Sequence, residues 1–206
     1  MRPTIEFIFD FASPNAYLAC RALPPILERA GARLEIVPCL LGGIFKATNN
    51  KAPFIAMAPI KGRFEYELLE IRRFVAKHKL DKYRLNPHFP VNSLMLIRGY
   101  IAAEEAGVEA PYLEMGLRGM WEDGLKLDDP EVRRQAIDAA GLDSATLMAA
   151  AQSEPVKKKL AENTAAAVER GVFGVPTFFV GKEMFFGKER LGQVEEAVMA
   201  LAAAPA

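Results

Sequence analysis

Residues 4–19 read Thr-Ile-Glu-Phe-Ile-Phe-Asp-Phe-Ala-Ser-Pro-Asn-Ala-Tyr-Leu-Ala, and they decide the fold. Ile5, Phe7, Phe9 and Phe11 recur at every second position, the period of a strand with one apolar face. Ser13-Pro14 then opens a helix. A serine oxygen accepts a free N–H of the first turn, and proline is pre-set for the first helical position. The helix runs towards Arg29, kinked at Pro24-Pro25, and stops at Gly31. Arg33 to Pro38 reads as a second strand with Leu34 and Ile36 on one face. This β-α-β opening has the length of a parallel crossover unit.

From Leu41 the pattern becomes polar and loop-like, with Gly42, Gly43, Asn49, Asn50 and several prolines. Helical spacing follows for more than a hundred residues. Phe64, Leu68, Ile71 and Val75 share one face. A helix starts near Asn92-Ser93 and ends at Gly107, and another carries Leu113, Leu117, Met120 and Trp121. Asp129-Pro130, Asp143 and Glu154-Pro155 open three more, with stops at Gly141 and Gly171. The tail returns to β structure: a strand from Pro176 to Val180, a turn at Gly181-Lys182, and a strand from Glu183 to Phe186. A last helix carries Leu191, Val194, Val198 and Leu201. No internal repeat interrupts this order. Residues 1–41 and 172–206 are expected to build one α/β unit, and residues 42–171 an all-helical insertion.

The chain has 206 residues, 51% of them apolar, which suffices for a sizeable core. Lys plus Arg and Asp plus Glu number 26 each, so the net charge is zero. That balance argues against a dedicated nucleic-acid or anionic-membrane binder. Cys20 and Cys39 are too few for a disulfide scaffold or a zinc site and read as buried thiols of a reducing compartment. His78 and His88 lie outside any metal-ligand spacing. With neither a secretory pattern nor an apolar run long enough for a bilayer, a cytoplasmic protein is expected.

Two stretches carry chemistry: Asp10-Phe11-Ala12-Ser13-Pro14-Asn15-Ala16-Tyr17-Leu18-Ala19 and Gly171-Val172-Phe173-Gly174-Val175-Pro176-Thr177-Phe178-Phe179. With Phe186-Gly187-Lys188-Glu189-Arg190-Leu191 they resemble the kappa-class glutathione transferases and the 2-hydroxychromene-2-carboxylate isomerases. The resemblance spans the chain and implies a DsbA-like, thioredoxin-like α/β fold with an inserted helical domain.

In redox relatives a Cys-x-x-Cys motif starts the first helix. Here the tetrad is Ser13-Pro14-Asn15-Ala16, without sulfur, so dithiol exchange is excluded at this site. The helix N-terminus still favours negative charge. A hydroxyl there can donate to a thiolate and lower that thiol's pKa, so the sulfur must come from a ligand. The resemblance implies glutathione as cofactor. Val175-Pro176 is expected to be cis, exposing the N–H and C=O of Val175 to an extended peptide.

The family pattern further implies Glu189 and Arg190 at the γ-glutamyl end, although Glu stands where Asp is usual. Lys188, where a small residue is usual, falls in the same group of cofactor contacts. Asn50 (or its neighbour Asn49) and Lys61 match the residues near the glycyl carboxylate. Lys46 matches an isomerase lysine that meets the carboxylate of an aromatic substrate. The implied activity is isomerisation of 2-hydroxychromene-2-carboxylate, or a close analogue, to trans-o-hydroxybenzylidenepyruvate through a transient glutathione adduct. A transferase that conjugates glutathione to electrophiles is the alternative, and a non-catalytic binder of thiol peptides is another. The resemblance also implies a homodimer.

Overall fold

The structure is a computed structural model that describes residues 2–203. Its centre is β1 (Thr4–Phe9), flanked on one side by β2 (Arg33–Pro38) in parallel and on the other by β3 (Thr177–Val180) in antiparallel pairing. β3 turns at Gly181 into β4 (Glu183–Phe186), giving the sheet order β2-β1-β3-β4. One of the two inner strands is thus the one read from the opening residues. Ile5, Phe7, Ile8 and Phe9 are all buried, so both faces of β1 are covered. That is the mark of an inner strand rather than of one with a wet face.

The first crossover is two helices, α1 (Pro14–Ala22) and α2 (Pro24–Ala30), meeting at Leu23. Pro24 and Pro25 have no N–H to continue the ladder, so one helix ends and the next begins where a kink was expected. Gly31 closes α2 at φ 58°, a left-handed position that suits glycine.

The stretch after Leu41 is not the loop that its composition suggests. It holds α3 (Leu41–Thr48) and α4 (Pro53–Met57). Gly42 and Gly43 are poor helix formers, and packing overrides them. Gly43 lies against Thr164, where a side chain would be crowded, and the Leu40 N–H donates to Thr164 Oγ1 at 3.0 Å.

The helical block continues with α5 (Arg63–His78), α6 (Leu94–Glu105), α7 (Glu109–Trp121), α8 (Pro130–Ala139), α9 (Ser144–Ala150) and α10 (Glu154–Glu169). Asp129, Asp143 and Ser153 cap the last three through their side chains. After β4, a 3-10 turn at Lys188–Arg190 leads into α11 (Leu191–Ala203). Val194 and Val198 are buried as their spacing predicts, but Leu201 is exposed, as is Phe64 at the start of α5. Both sit in end turns that extend past the core they were expected to join.

One continuous core runs from the sheet into the inserted helices. Trp121 of α7 donates its indole N–H to the Phe11 carbonyl at 2.9 Å. Tyr17 of α1 donates to Glu122 at 3.0 Å, and Arg21 donates to both Glu122 and Glu114. Gly116 of α7 packs directly on the Phe11 ring, so closely that any β-carbon there would overlap it. The inserted helices thereby support the residue two places before Ser13.

Gly116→Ala tests that support. The added methyl should favour α7 by about 0.5–1 kcal/mol, whereas overpacking against Phe11 costs about 1–3 kcal/mol. The net result expected is a lower urea midpoint at unchanged m-value. An equal or higher midpoint would show that Phe11 moves aside freely.

Candidate active site

Ser13 is buried at the N-cap of α1, with extended backbone, φ −97° and ψ 116°. Its Oγ accepts the Ala16 N–H at 3.2 Å, holding the first turn, and donates to the Val175 carbonyl at 3.2 Å. One hydroxyl therefore joins the helix N-terminus to the loop ahead of β3. The Val175–Pro176 bond is cis, as is Phe89–Pro90 elsewhere in the chain. The Pro176 carbonyl accepts from the Gly187 N–H at 2.9 Å, which brings the 188–190 turn alongside. Among the described residues the Val175 N–H has no hydrogen-bond partner. A free backbone donor beside a helix N-terminus suits the main chain of an extended, negatively charged peptide. A hydroxyl, a helix N-terminus and an open backbone N–H thus meet here without a cysteine, and Ala16 stands at the fourth position of the tetrad.

The other expected contacts arrange themselves unequally. Asn50, exposed just beyond α3, donates Nδ2 to the Phe173 carbonyl at 2.8 Å, so this arm is tied to the loop of Val175. Asn49, the alternative, sits in the left-handed region at φ 53° as the C-cap of α3. Lys46 lies on the exposed side of α3 rather than in a loop, and Lys61 is exposed in the turn before α5. Glu189 and Arg190 are exposed in the 3-10 turn.

Lys188 departs from expectation. Its side chain is only 1% exposed, its ammonium is bonded to Glu189, and it lies 5.5 Å from the centre of the Phe74 ring on α5. A lysine of a surface turn was expected to face a ligand directly. Instead its stem is buried, and the charge is met by a carboxylate and an aromatic face.

Asp10 was missed in the sequence, where it reads as the polar end of an apolar strand. It is fully buried, and its two oxygens accept the Ala12 N–H at 2.9 Å and the Leu41 N–H at 2.7 Å. Burial raises its pKa, opposed by those two backbone bonds and by Ser93. The signal available was a single charge in the run Phe9-Asp10-Phe11.

The chain's own thiols are elsewhere. Cys20 is part-buried on α1 and Cys39 is buried after β2, its thiol 3.5 Å from the Asn163 carbonyl. Burial pushes Cys20 up to about 11, and burial with the nearby Asp10 pushes Cys39 up to about 12. Among the described residues no cluster of His, Cys, Asp and Glu is arranged to hold a metal ion. No helix of the described residues is long and apolar enough to cross a membrane. His78 lies over Phe74 at 4.2 Å, and Met115, Met120 and Trp121 are core, as expected.

A helix-start serine facing a cis-proline loop, on a β2-β1-β3-β4 sheet interrupted by helices, defines a thioredoxin-fold protein that lacks the redox cysteine pair. The chain belongs to the DSBA-like thioredoxin domain family, whose match covers residues 4–199. It is 28% identical to a 2-hydroxychromene-2-carboxylate isomerase of Pseudomonas putida, over 94% of this chain and 93% of that one. It is equally 28% identical to glutathione S-transferase kappa 1 of Rattus norvegicus, over 91% of this chain and 87% of the relative. A solved 2-hydroxychromene-2-carboxylate isomerase superimposes with a TM-score of 0.82 at 26% identity, over 97% of this chain and 96% of that chain.

The raised thiol pKa values give a direct check. At pH 8 a thiol of pKa about 11 is thiolate in roughly one molecule in a thousand, and only the thiolate reacts. Alkylation of the folded protein by iodoacetamide should be at least about a hundredfold slower than that of a free cysteine peptide. Both cysteines should label normally in urea. Fast labelling of either in the native state would give the chain a usable sulfur of its own.

Proposed function

We propose that this chain is a glutathione-dependent isomerase acting on 2-hydroxychromene-2-carboxylate or a close aromatic acid. The observation that carries the reading is the Ser13 hydroxyl, held at 3.2 Å from both the Ala16 N–H and the Val175 carbonyl, in a site without sulfur. Glutathione, when bound, supplies a sulfur nucleophile that is returned in an isomerisation and consumed in a conjugation. The residues present fit such a ligand: a free Val175 N–H, with Arg190, Glu189, Asn50 and Lys61 exposed.

On this reading Ser13 turns its proton from the Val175 carbonyl towards the ligand sulfur and holds it as thiolate. The N–H groups opening α1 add their field, which favours negative charge. Val175 pairs with the peptide main chain, so the choice of side chain at 175 matters little. Arg190 faces the γ-glutamyl carboxylate and Glu189 its amino group, with Lys188 holding Glu189 from beneath. Asn50 and Lys61 take the glycyl carboxylate. Lys46, four residues before Asn50, orients the carboxylate of the aromatic acid. Isomerase and kappa-transferase relatives, each 28% identical to this chain, support the shared thiol-activating chemistry. A homodimer in the cytoplasm completes the proposal.

Turnover of the chromene acid with and without glutathione, following whether glutathione disappears, tests the assignment. Turnover that needs glutathione but leaves its concentration unchanged is expected. Stoichiometric loss would make the enzyme a transferase, and no turnover of any electrophile would leave only a binding protein. Ser13→Ala should lower kcat by about a hundredfold, the scale of removing a donor that stabilises developing charge. Its stability should fall by only about 1 kcal/mol, the cost of a helix cap. Wild-type kcat in this variant removes Ser13 from the chemistry.

Lys46→Ala separates the two ligands. Loss of a charged hydrogen bond should raise KM for the aromatic acid by about tenfold or more, with KM for glutathione nearly unchanged. A rise confined to glutathione would instead put Lys46 at the tripeptide's own carboxylate. No rise in either would mark Lys46 as a solvated lysine of α3.

A further inference from the structure

The helix that carries Lys46 and leads to Asn50 has no cap of its own. Leu40 occupies the N-cap of α3, and a leucine side chain accepts nothing. Two groups from elsewhere meet this end. Thr164 of α10 accepts the Leu40 N–H at 3.0 Å, and Asp10 accepts the Leu41 N–H at 2.7 Å. Only the second is charged, and a carboxylate at a helix N-terminus complements both its free donors and its dipole. The other oxygen of the same carboxylate accepts the Ala12 N–H at 2.9 Å, and the Asp10 carbonyl accepts the Ser13 N–H at 3.2 Å. Asp10 is 0% exposed, so solvent does not compete for these bonds. The groups facing it are the Cys39 thiol and Ser93 at the start of α6.

We propose that Asp10 is a positioning residue of the active site, capping α3 from outside the helix and fixing the Ser13 turn with the same carboxylate. It touches neither substrate nor glutathione. It sets the distance between the arm that holds the ligand carboxylates and the hydroxyl that faces the sulfur. A buried negative charge close to a thiolate works against that thiolate. Its presence is therefore explained by geometry rather than by charge stabilisation. The inference rests on the glutathione reading given above.

Three variants of the chain separate the two tethers. Leu41→Pro deletes the α3 donor and leaves the Asp10 charge in place. Proline is suited to the first position of a helix, and Leu40 already has the extended backbone that a following proline requires, φ −87° and ψ 108°. Asp10→Asn keeps an acceptor for Ala12 and turns a donor towards Leu41. Asp10→Ala loses both tethers. Each is first checked for a native circular dichroism spectrum and a cooperative urea transition.

For Leu41→Pro and Asp10→Asn, KM for glutathione and for the aromatic acid should both rise by about tenfold while kcat holds. For Asp10→Ala, kcat should fall as well. The titration midpoint of the bound glutathione thiol, followed by thiolate absorbance, should move up. Removal of the charge alone would move it down. Unchanged KM values in a folded Leu41→Pro protein would overturn the proposal, as would a lowered midpoint with intact kcat in Asp10→Ala. If Asp10→Ala fails to fold, the other two variants still decide. Wild-type protein that binds no glutathione in calorimetry would remove the underlying reading and this inference with it, whatever the variants do.

Discussion

The Ser13 hydroxyl meets the Val175 carbonyl across 162 residues of sequence, and the rest of the structure is arranged to make that meeting possible. It requires β1 to be an inner strand, because Ser13 follows it and the Val175 loop leads into β3, its antiparallel neighbour. It requires the helical block to leave the sheet after β2 and return before β3 without parting them. That requirement is met by packing: α7 grips Phe11 through Trp121 and Gly116, and α10 lies against α3. The inserted helices are thus part of the same core as the sheet rather than a separate attachment.

The chemistry of the site follows from what it lacks as much as from what it holds. A helix N-terminus, a hydroxyl and an open backbone donor all favour a negatively charged sulfur, yet the two thiols of the chain are held away with raised pKa. Fixed dipoles cost nothing to reorganise when charge develops, and are the cheapest way for a protein to activate a nucleophile that it does not own. Lys46 on α3 and Glu189 and Arg190 in the 188–190 turn are exposed, whereas Asp10 and Lys188 are buried.

How much of this was legible in the sequence varies with the range of the interaction. The period of two in Ile5, Phe7 and Phe9, the Ser13-Pro14 start, the Pro24-Pro25 break and the caps at Asp129 and Asp143 are local, and the structure bears them out. The cis bond before Pro176 was legible through resemblance. α3 was not: Gly42 and Gly43 disguise a helix that exists because α10 and Asp10 hold its start. Lys188 was misjudged for the same reason. Nothing near it in sequence announces that Phe74, on α5, covers it. Asp10 looked like an ordinary strand end because its partners lie on both sides of a crossover.

Ala16 at the fourth position of the Ser13-Pro14-Asn15-Ala16 tetrad has a physiological consequence on the proposed reading. A site with a cysteine pair equilibrates with its surroundings and is switched by the ratio of disulfide to thiol. This site has no oxidised form to be trapped in. At a given level of substrate its output follows the supply of reduced tripeptide. It is a gauge of concentration and not of potential, and it stays in service through an oxidative episode for as long as some reduced ligand remains.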